Sequence, residues 1–460
     1  MKDVLVKTVN YGQSLGAEYV EVRAQNLFKT SLTTKDGNVE SAKDGTESGA
    51  GIRVLVDGAW GFVSLGKIEA KDLHESIKEA YNLAKAASFH VKAPVKLVQV
   101  KSVEDTVVAK PKTNPKDISL EQKIDNALEM DKAIFGYDKR IKSCTISYLD
   151  VTGTNYFVNS EGTRIQQDKL YVWSRILASA RESSVFASAR EEIGSTAGYE
   201  VFDSQSPEQL GTTLAKRTVD QLKAKAPKGG AFPAVVGPNV VGVFIHEAMG
   251  HLAEADLTLS GSILFDKVGE QIASEAVTVY DDGTVEGAFG SFKYDDEGVL
   301  AQKTALIQNG TLVGLMQNRE TAHKLDMQPT GNARAEDFRV EPIIRMRNTY
   351  LDAGDCSFEE LIEDVKFGYY LKSFRGGQAN LDGTFQVGIQ EAYEINNGEI
   401  GAPVRSASIS GNTLETLRKV EAVGKDLELW PGRCGKGQTA FICDGGPHMR
   451  LGEITIGGGA

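Results

Sequence analysis

Val240-Val241-Gly242-Val243-Phe244-Ile245-His246-Glu247-Ala248-Met249-Gly250-His251 is the stretch from which the rest of the chain can be read. Its first half is almost wholly apolar and reads as a buried helix. Its second half carries two of the six histidines of the chain, with a glutamate directly after the first. Buried imidazoles and carboxylates need partners. A metal ion supplies them, since two imidazoles can hold zinc and the neighbouring carboxylate can take a proton from water at the metal.

The spacing sets a condition. The familiar zinc-hydrolase pattern HExxH places its histidines four apart, on one helix face; here they are five apart, as HExxxH. At about 3.6 residues per turn, a step of five leaves the two side chains roughly 140° apart. One ion cannot be gripped from two such directions. A wider π-type turn brings them together, and such bulges are frequent at functional sites. The expectation is a helix that widens, or ends, near Gly250. The competing reading is a pair of core histidines on a regular buried helix. The apolar run leading straight into the polar cluster favours the metal, and with it hydrolysis of peptide bonds.

The 460 residues suggest two or three domains. With 41% apolar and 25% charged residues, the composition is that of an ordinary globular protein. A net charge of −12 and the lack of a dense Lys/Arg run argue against nucleic acid as a partner. Met1–Lys7 reads as the start of an amphipathic helix. The longest apolar stretch, 231–245, is interrupted by Pro233 and Pro238 and is too short to span a bilayer, so no membrane partner is expected. Four cysteines do not make a disulfide scaffold, and a cytoplasmic location is the simplest reading.

Along the chain, helices are expected at 2–15, 69–87, 119–135 and 207–225. Asp36-Gly37, Asp44-Gly45, Asp57-Gly58 and Ser160-Glu161-Gly162 signal turns between alternating strands. Residues 28–40 echo 155–166, which suggests an internal repeat. Three units follow: an α+β unit at 1–110, a second at 111–227, and a large β-rich domain at 228–460. The fold class is α+β, with two small α/β-hairpin units and a mostly antiparallel C-terminal domain that carries the motif helix.

A catalytic zinc needs a third protein ligand. Glu254, Asp256, His323, His448 and the cysteines are candidates. Cys434 lies in the glycine-rich run Pro431-Gly432-Arg433-Cys434-Gly435-Lys436-Gly437, and a His/His/Cys set favours zinc over magnesium or calcium. Spacing alone does not choose Cys434 over Cys443.

With HEAMGH and its trailing Glu254 and Asp256, YDDEG at 294–298, NTYLDAGD at 348–355, PGRCGKG at 431–437 and IGGG at 456–459, the chain resembles the TldD/PmbA family of metalloproteases, and within it the TldD-type subunit. The resemblance covers nearly the whole chain, most specifically 230–460. It implies zinc (Zn2+) held by His246, His251 and Cys434, with Glu247 as the catalytic glutamate. It also implies a dimer, either of two copies or with a TldE-type subunit, around an enclosed cavity that admits unfolded peptides as strands.

On this reading the zinc lowers the pKa of water toward about 7, and Glu247 relays the proton to the leaving amine. Glu254 and Asp256 either orient the histidines or are ordinary helix-end residues. Cys144, Cys356 and Cys443 are expected to be inert, and His74 and His90 to lie on the surface. Arg375-Gly376-Gly377-Gln378 lines the peptide groove or forms a bulge. The alternative function is a noncatalytic binding or modulator subunit acting on a DNA-associated enzyme, a label that members of the family carry.

Overall fold

The computed structural model describes residues 1–458. The chain opens with α1 (Lys2–Ser14), β1 (Tyr19–Lys35), β2 (Asn38–Val56), β3 (Ala59–Leu65) and α2 (Ala70–Ser88). A short β4 (Glu104–Val107) leads to α3 (Leu120–Tyr137), β5 (Ile141–Asn159), β6 (Arg164–Glu182), β7 (Val185–Ser195) and α4 (Pro207–Asp220). Helix, three strands, helix is used twice. The echoing segments 28–40 and 155–166 are the first hairpin of each set, β1–β2 and β5–β6.

The two sets join edge to edge. Strand β1 runs antiparallel to β5, from the Glu21–Asn159 pair to the Lys35–Thr145 pair. One sheet results, ordered β3-β2-β1-β5-β6, with β4 and β7 both on β6. Alternation along the strands sends apolar side chains to the helices. Leu5, Leu73 and Ile77 pack on Val20, Val22 and Ile52, and Met130, Ile134 and Leu214 pack on Ile146 and Ile176.

Asp44-Gly45 is not a turn. The hairpin closes at Asp36-Gly37, both at positive φ, and Asp44 and Gly45 pair with Thr30 and Lys29 in mid-strand. A long partner strand offers a continuous ladder, which overrides the local preference of a turn-prone dipeptide.

The remainder holds β8 (Gly230–Val236), α5 (Pro238–Ile245), the motif turn (His246–Gly250), α6 (Ala255–Leu259), β9 (Val279–Asp282), β10 (Lys303–Gln308), β11 (Thr311–Leu312) and α7 (Arg319–Lys324). Then come β12 (Ala333–Arg334), β13 (Ile343–Ile344), β14 (Asn348–Leu351), α8 (Phe358–Ile362), β15 (Phe367–Ala379), β16 (Thr384–Asn396), β17 (Glu399–Val404) and β18 (Ala407–Asn412). The chain finishes with α9 (Thr413–Arg418), β19 (Val420–Val423), β20 (Glu428–Lys436), β21 (Gln438–Gly446) and β22 (Met449–Gly458). The run Ile456–Gly458 ends β22, and Gly459 lies outside the described residues.

Two main sheets frame this half. In one, ordered β15-β8-β22-β18-β16-β17, β15 also pairs with β16, so five strands close on themselves. The other is ordered β11-β10-β9-β14-β21-β20. Most pairings are antiparallel; β8–β15 and β14–β21 are parallel. The fold is thus mixed α+β, with several antiparallel sheets. Helix α5 is wedged between the two sheets, against β14 and β21 on one side and β15 and β16 on the other. Hence seven of its eight residues are buried, and whatever follows it starts inside the protein.

The YDDEG run ties the halves together. Glu297 accepts from Arg53 Nη2 at 2.7 Å and from the Arg319 N–H at 2.9 Å, and Tyr294 donates its hydroxyl to Asp105 at 2.8 Å.

Candidate metal centre

Pro238 sits in the first turn of α5, where its missing N–H costs nothing. The helix continues as far as Ile245 and then widens. Residues His246–Gly250 form a π turn, closed by the His251 N–H donating to the His246 carbonyl. This is the widening that a five-residue step requires. Gly250 is needed for close approach: a Cβ there would lie 2.1 Å from Met346 Sδ. The two rings end 5.0 Å apart, nearly perpendicular.

Both rings meet one thiol. Cys434 Sγ lies 3.1 Å from His246 Nε2 and 3.2 Å from His251 Nε2. The three donor atoms all lie within 4.8 Å of one another. Cys434 comes from β20, one strand of the tight β20–β21 hairpin, nearly two hundred residues further along the chain. Burial works against a thiolate here, but the two imidazoles bring the Cys434 thiol down to about 4. Burial likewise opposes charge on His251, yet Cys434 and Glu254 hold its pKa up at about 10. The pKa of His246 is also raised, by Cys434 against the effect of burial. Two imidazoles and a thiolate, gathered in a buried pocket, form a donor set suited to zinc.

Glu254 stands behind His251. It is fully buried, accepts from His251 Nδ1 at 2.9 Å, and lies 3.2 Å from Lys436 Nζ and 4.0 Å from Arg345 Nε. Burial pushes its carboxyl up, but His251, Lys436 and Arg345 together hold it below the usual range. Such a carboxylate fixes the tautomer and aim of a ligating ring. Asp256 instead pairs with Lys436 at 2.9 Å and reaches the centre only through that lysine. Arg345 also donates to the Cys434 carbonyl at 2.8 Å, which pins the strand that carries the thiol. Sequence reading missed Arg345, because nothing local connects it to the motif.

Glu247 is half-buried and lines a cavity of about 840 Å³ together with His246, His251 and Cys434. Gly376, Gly377 and Gln378 line it too, from a stretch of β15 with three register shifts. The segment is therefore both bulge and wall. An added Cβ on Gly377 would lie 2.9 Å from Val243 Cγ1 and 3.3 Å from Glu247 Cγ. Asp444, on β21, is a further wall residue that sequence reading did not single out. Burial raises its carboxyl to about 7, against the pull of His246.

The other candidates lie apart. His448 lines the cavity but is held by Asp426 and by Tyr370, 3.0 Å away. His323, His74 and His90 are exposed. Cys443 faces away from the cluster, with the Phe289 N–H donating to its sulfur at 3.2 Å, and burial pushes its thiol up to about 12. Burial raises Cys144 and Cys356 as well.

Comparison with known proteins adds an independent line. Residues 20–87, 113–222 and 229–458 match, in turn, domain 1, the central domain and the C-terminal domain of the PmbA/TldA metallopeptidases. A metalloprotease of Methanothermobacter thermautotrophicus is 42% identical over 450 residues, 96% of each chain. A zinc metalloprotease TldD homolog of Saccharolobus solfataricus is 35% identical over 99% of this chain and all of its own length (100%). Among solved structures, a putative modulator of DNA gyrase from Thermotoga maritima shares the fold with a TM-score of 0.80 at 22% identity, over 99% of both chains. TldE from Thermococcus kodakarensis does so with a TM-score of 0.75 at 20% identity, over 99% of this chain and 100% of its own.

Proposed function

The chain belongs to the PmbA/TldD metallopeptidase family and is a metallopeptidase; from that premise we propose that it is a zinc enzyme that hydrolyses unfolded peptides, with Glu247 as its proton carrier. One observation carries this reading. The π turn aims two imidazoles at one thiol while the residue between them in the motif, Glu247, faces the cavity.

In this proposal His246, His251 and Cys434 hold the ion. When bound, zinc supplies a Lewis acid that polarises a carbonyl and makes water a nucleophile near neutral pH. Glu247 takes the proton of the attacking water and hands it to the leaving amine. Glu254 keeps His251 aimed, and Arg345 keeps Cys434 in place. An extended substrate has two edges to join. Beyond Leu371, β15 is paired with β16 alone, and β20 is an outer strand of its sheet. Both flank the cavity, and adding a strand through backbone hydrogen bonds tolerates varied sequences.

The same proposal divides the chain into units at 1–110, 111–227 and 228–460. It makes the assembly a dimer, of two copies or with a TldE-type subunit, supported by the full-length likeness to TldE. No described helix is long and apolar enough to cross a membrane, and the four cysteines are free, which suits the reducing cytoplasm. A noncatalytic modulator role has only the names of solved structures at 22% identity behind it, and an intact Glu247 beside a complete donor set weighs against it.

The test is Glu247→Ala. It should keep its zinc and lose at least about a hundredfold in peptide cleavage, the range of a lost general base. Full activity in that variant would remove Glu247 from the mechanism.

A further inference from the structure

The cavity wall carries a second group of charged side chains that hydrolysis as described does not use. Arg175 on β6 and Arg433 on β20 both lie over Trp173, their guanidinium carbons 5.6 Å and 5.2 Å from its ring centre. Arg433 is also 5.9 Å from the Phe441 ring. Arg190 on β7 stacks on Phe374 at 4.3 Å. Glu192 lies opposite Arg175 in the β6–β7 pairing and accepts the Trp173 Nε1–H at 3.2 Å. Among the described residues it is the one carboxylate paired with any of these three guanidiniums, and it reaches only Arg190, at 4.0 Å. The three guanidiniums thus have one directly paired carboxylate among them, while Glu191, Glu428 and Asp444 line the same cavity without pairing to any of the three.

Exposed arginines are usually just solvated. These differ in lying over aromatic rings, which favours a defined position for each, and among the described residues none of their guanidinium N–H groups makes a hydrogen bond. A planar guanidinium edge matches a carboxylate, which it can bind through two parallel hydrogen bonds. Arg190 is deeper than the other two: burial lowers its pKa, and the pull of Glu192 and Asp444 does not make this good. All three line the cavity that holds His246, Glu247 and His251, and Arg433 directly precedes Cys434. A peptide extended along β20 advances about 3.3 Å per residue. A carboxylate at this cluster therefore belongs to a residue near the bond under attack.

We propose that Arg175 and Arg433, over Trp173, together with Arg190, which shares Glu192 with that indole, form a subsite for a carboxylate of the peptide substrate, from an acidic side chain or from a free C-terminus. The proposal rests on the peptidase reading above and adds a preference to it.

Binding, measured without turnover, tests it. Zinc-loaded Glu247→Gln protein is titrated with fluorescein-labelled peptides that differ only in Glu against Gln at one position, each with a free or an amidated C-terminus. At least one carboxylate form should bind about tenfold more tightly than its neutral counterpart, as expected of a charge-assisted pair. The arm that shows the difference identifies the source. Adding Arg175→Gln and Arg433→Gln, both at exposed positions, should erase the preference and leave the neutral peptide within about twofold. Equal affinities in the parent, no binding by any peptide, or a preference that survives both substitutions would overturn the subsite. Failure of the Glu247-intact enzyme to cleave any peptide of the set would instead count against the peptidase reading and leave the binding result standing.

Discussion

The two faces of the β20–β21 hairpin carry the same residue type to opposite ends. Cys434 pairs with Ala440, and Cys443 lies three positions beyond Ala440 on the same strand. An odd step reverses the face in a strand. One thiol meets His246 and His251 and is brought down to about 4. The other is packed with Tyr171 and Phe289, where burial pushes it up to about 12. Strand alternation, rather than cysteine chemistry as such, decides which thiol meets the two imidazoles. A pair of cysteines that spacing leaves equivalent is therefore separated by the pleat of one hairpin.

The comparison is sharpest at the thiols themselves. Cys434→Ala should reduce peptidase activity by more than about a hundredfold, beyond the loss typical of supporting residues. Cys443→Ala should keep full activity and lose about 1–2 kcal/mol of stability in denaturant unfolding, the scale of a small buried deletion. Similar activity losses in the two variants would break the comparison.

A smaller effect tests the support behind the active face. Glu254→Gln keeps the shape of the side chain but removes the charge facing His251 Nδ1. Zinc affinity, measured by chelator competition, should fall by about 10–100-fold. An unchanged affinity would reduce Glu254 to a structural ion-pair partner of Lys436.

The smallest expected effect is on the cavity wall. In Gly377→Ala the new methyl would crowd Val243 and Glu247, at 2.9 Å and 3.3 Å. Turnover should drop by about three- to tenfold through misplacement of the glutamate, with zinc content unchanged. Loss of zinc instead would show that the bulged strand supports the ligands rather than the base.

Much of this was legible in the sequence where the information is local. The five-residue histidine step demanded a widened turn, and His246–Gly250 is one. Asp36-Gly37, Asp57-Gly58 and Ser160-Glu161-Gly162 do close hairpins. Asp44-Gly45 failed because a partner strand outbid its turn preference. Other features depend on strand order and could not be read. The β1–β5 seam joins residues more than a hundred positions apart, as does the approach of Arg433 to Trp173, and Arg345 meets Glu254 from outside the motif's own neighbourhood in the chain. The choice of Cys434 came from family resemblance; its physical reason, the face of the hairpin, is visible only in the structure.

The most direct test is the metal content of the purified protein, wild type beside His246→Ala and Cys443→Ala, by mass spectrometry of metals. The expected result is about one zinc per chain in the wild type and in Cys443→Ala, and loss of it in His246→Ala. A wild-type protein that takes up no zinc even when supplied with it, or a His246→Ala variant that keeps it, would contradict the account.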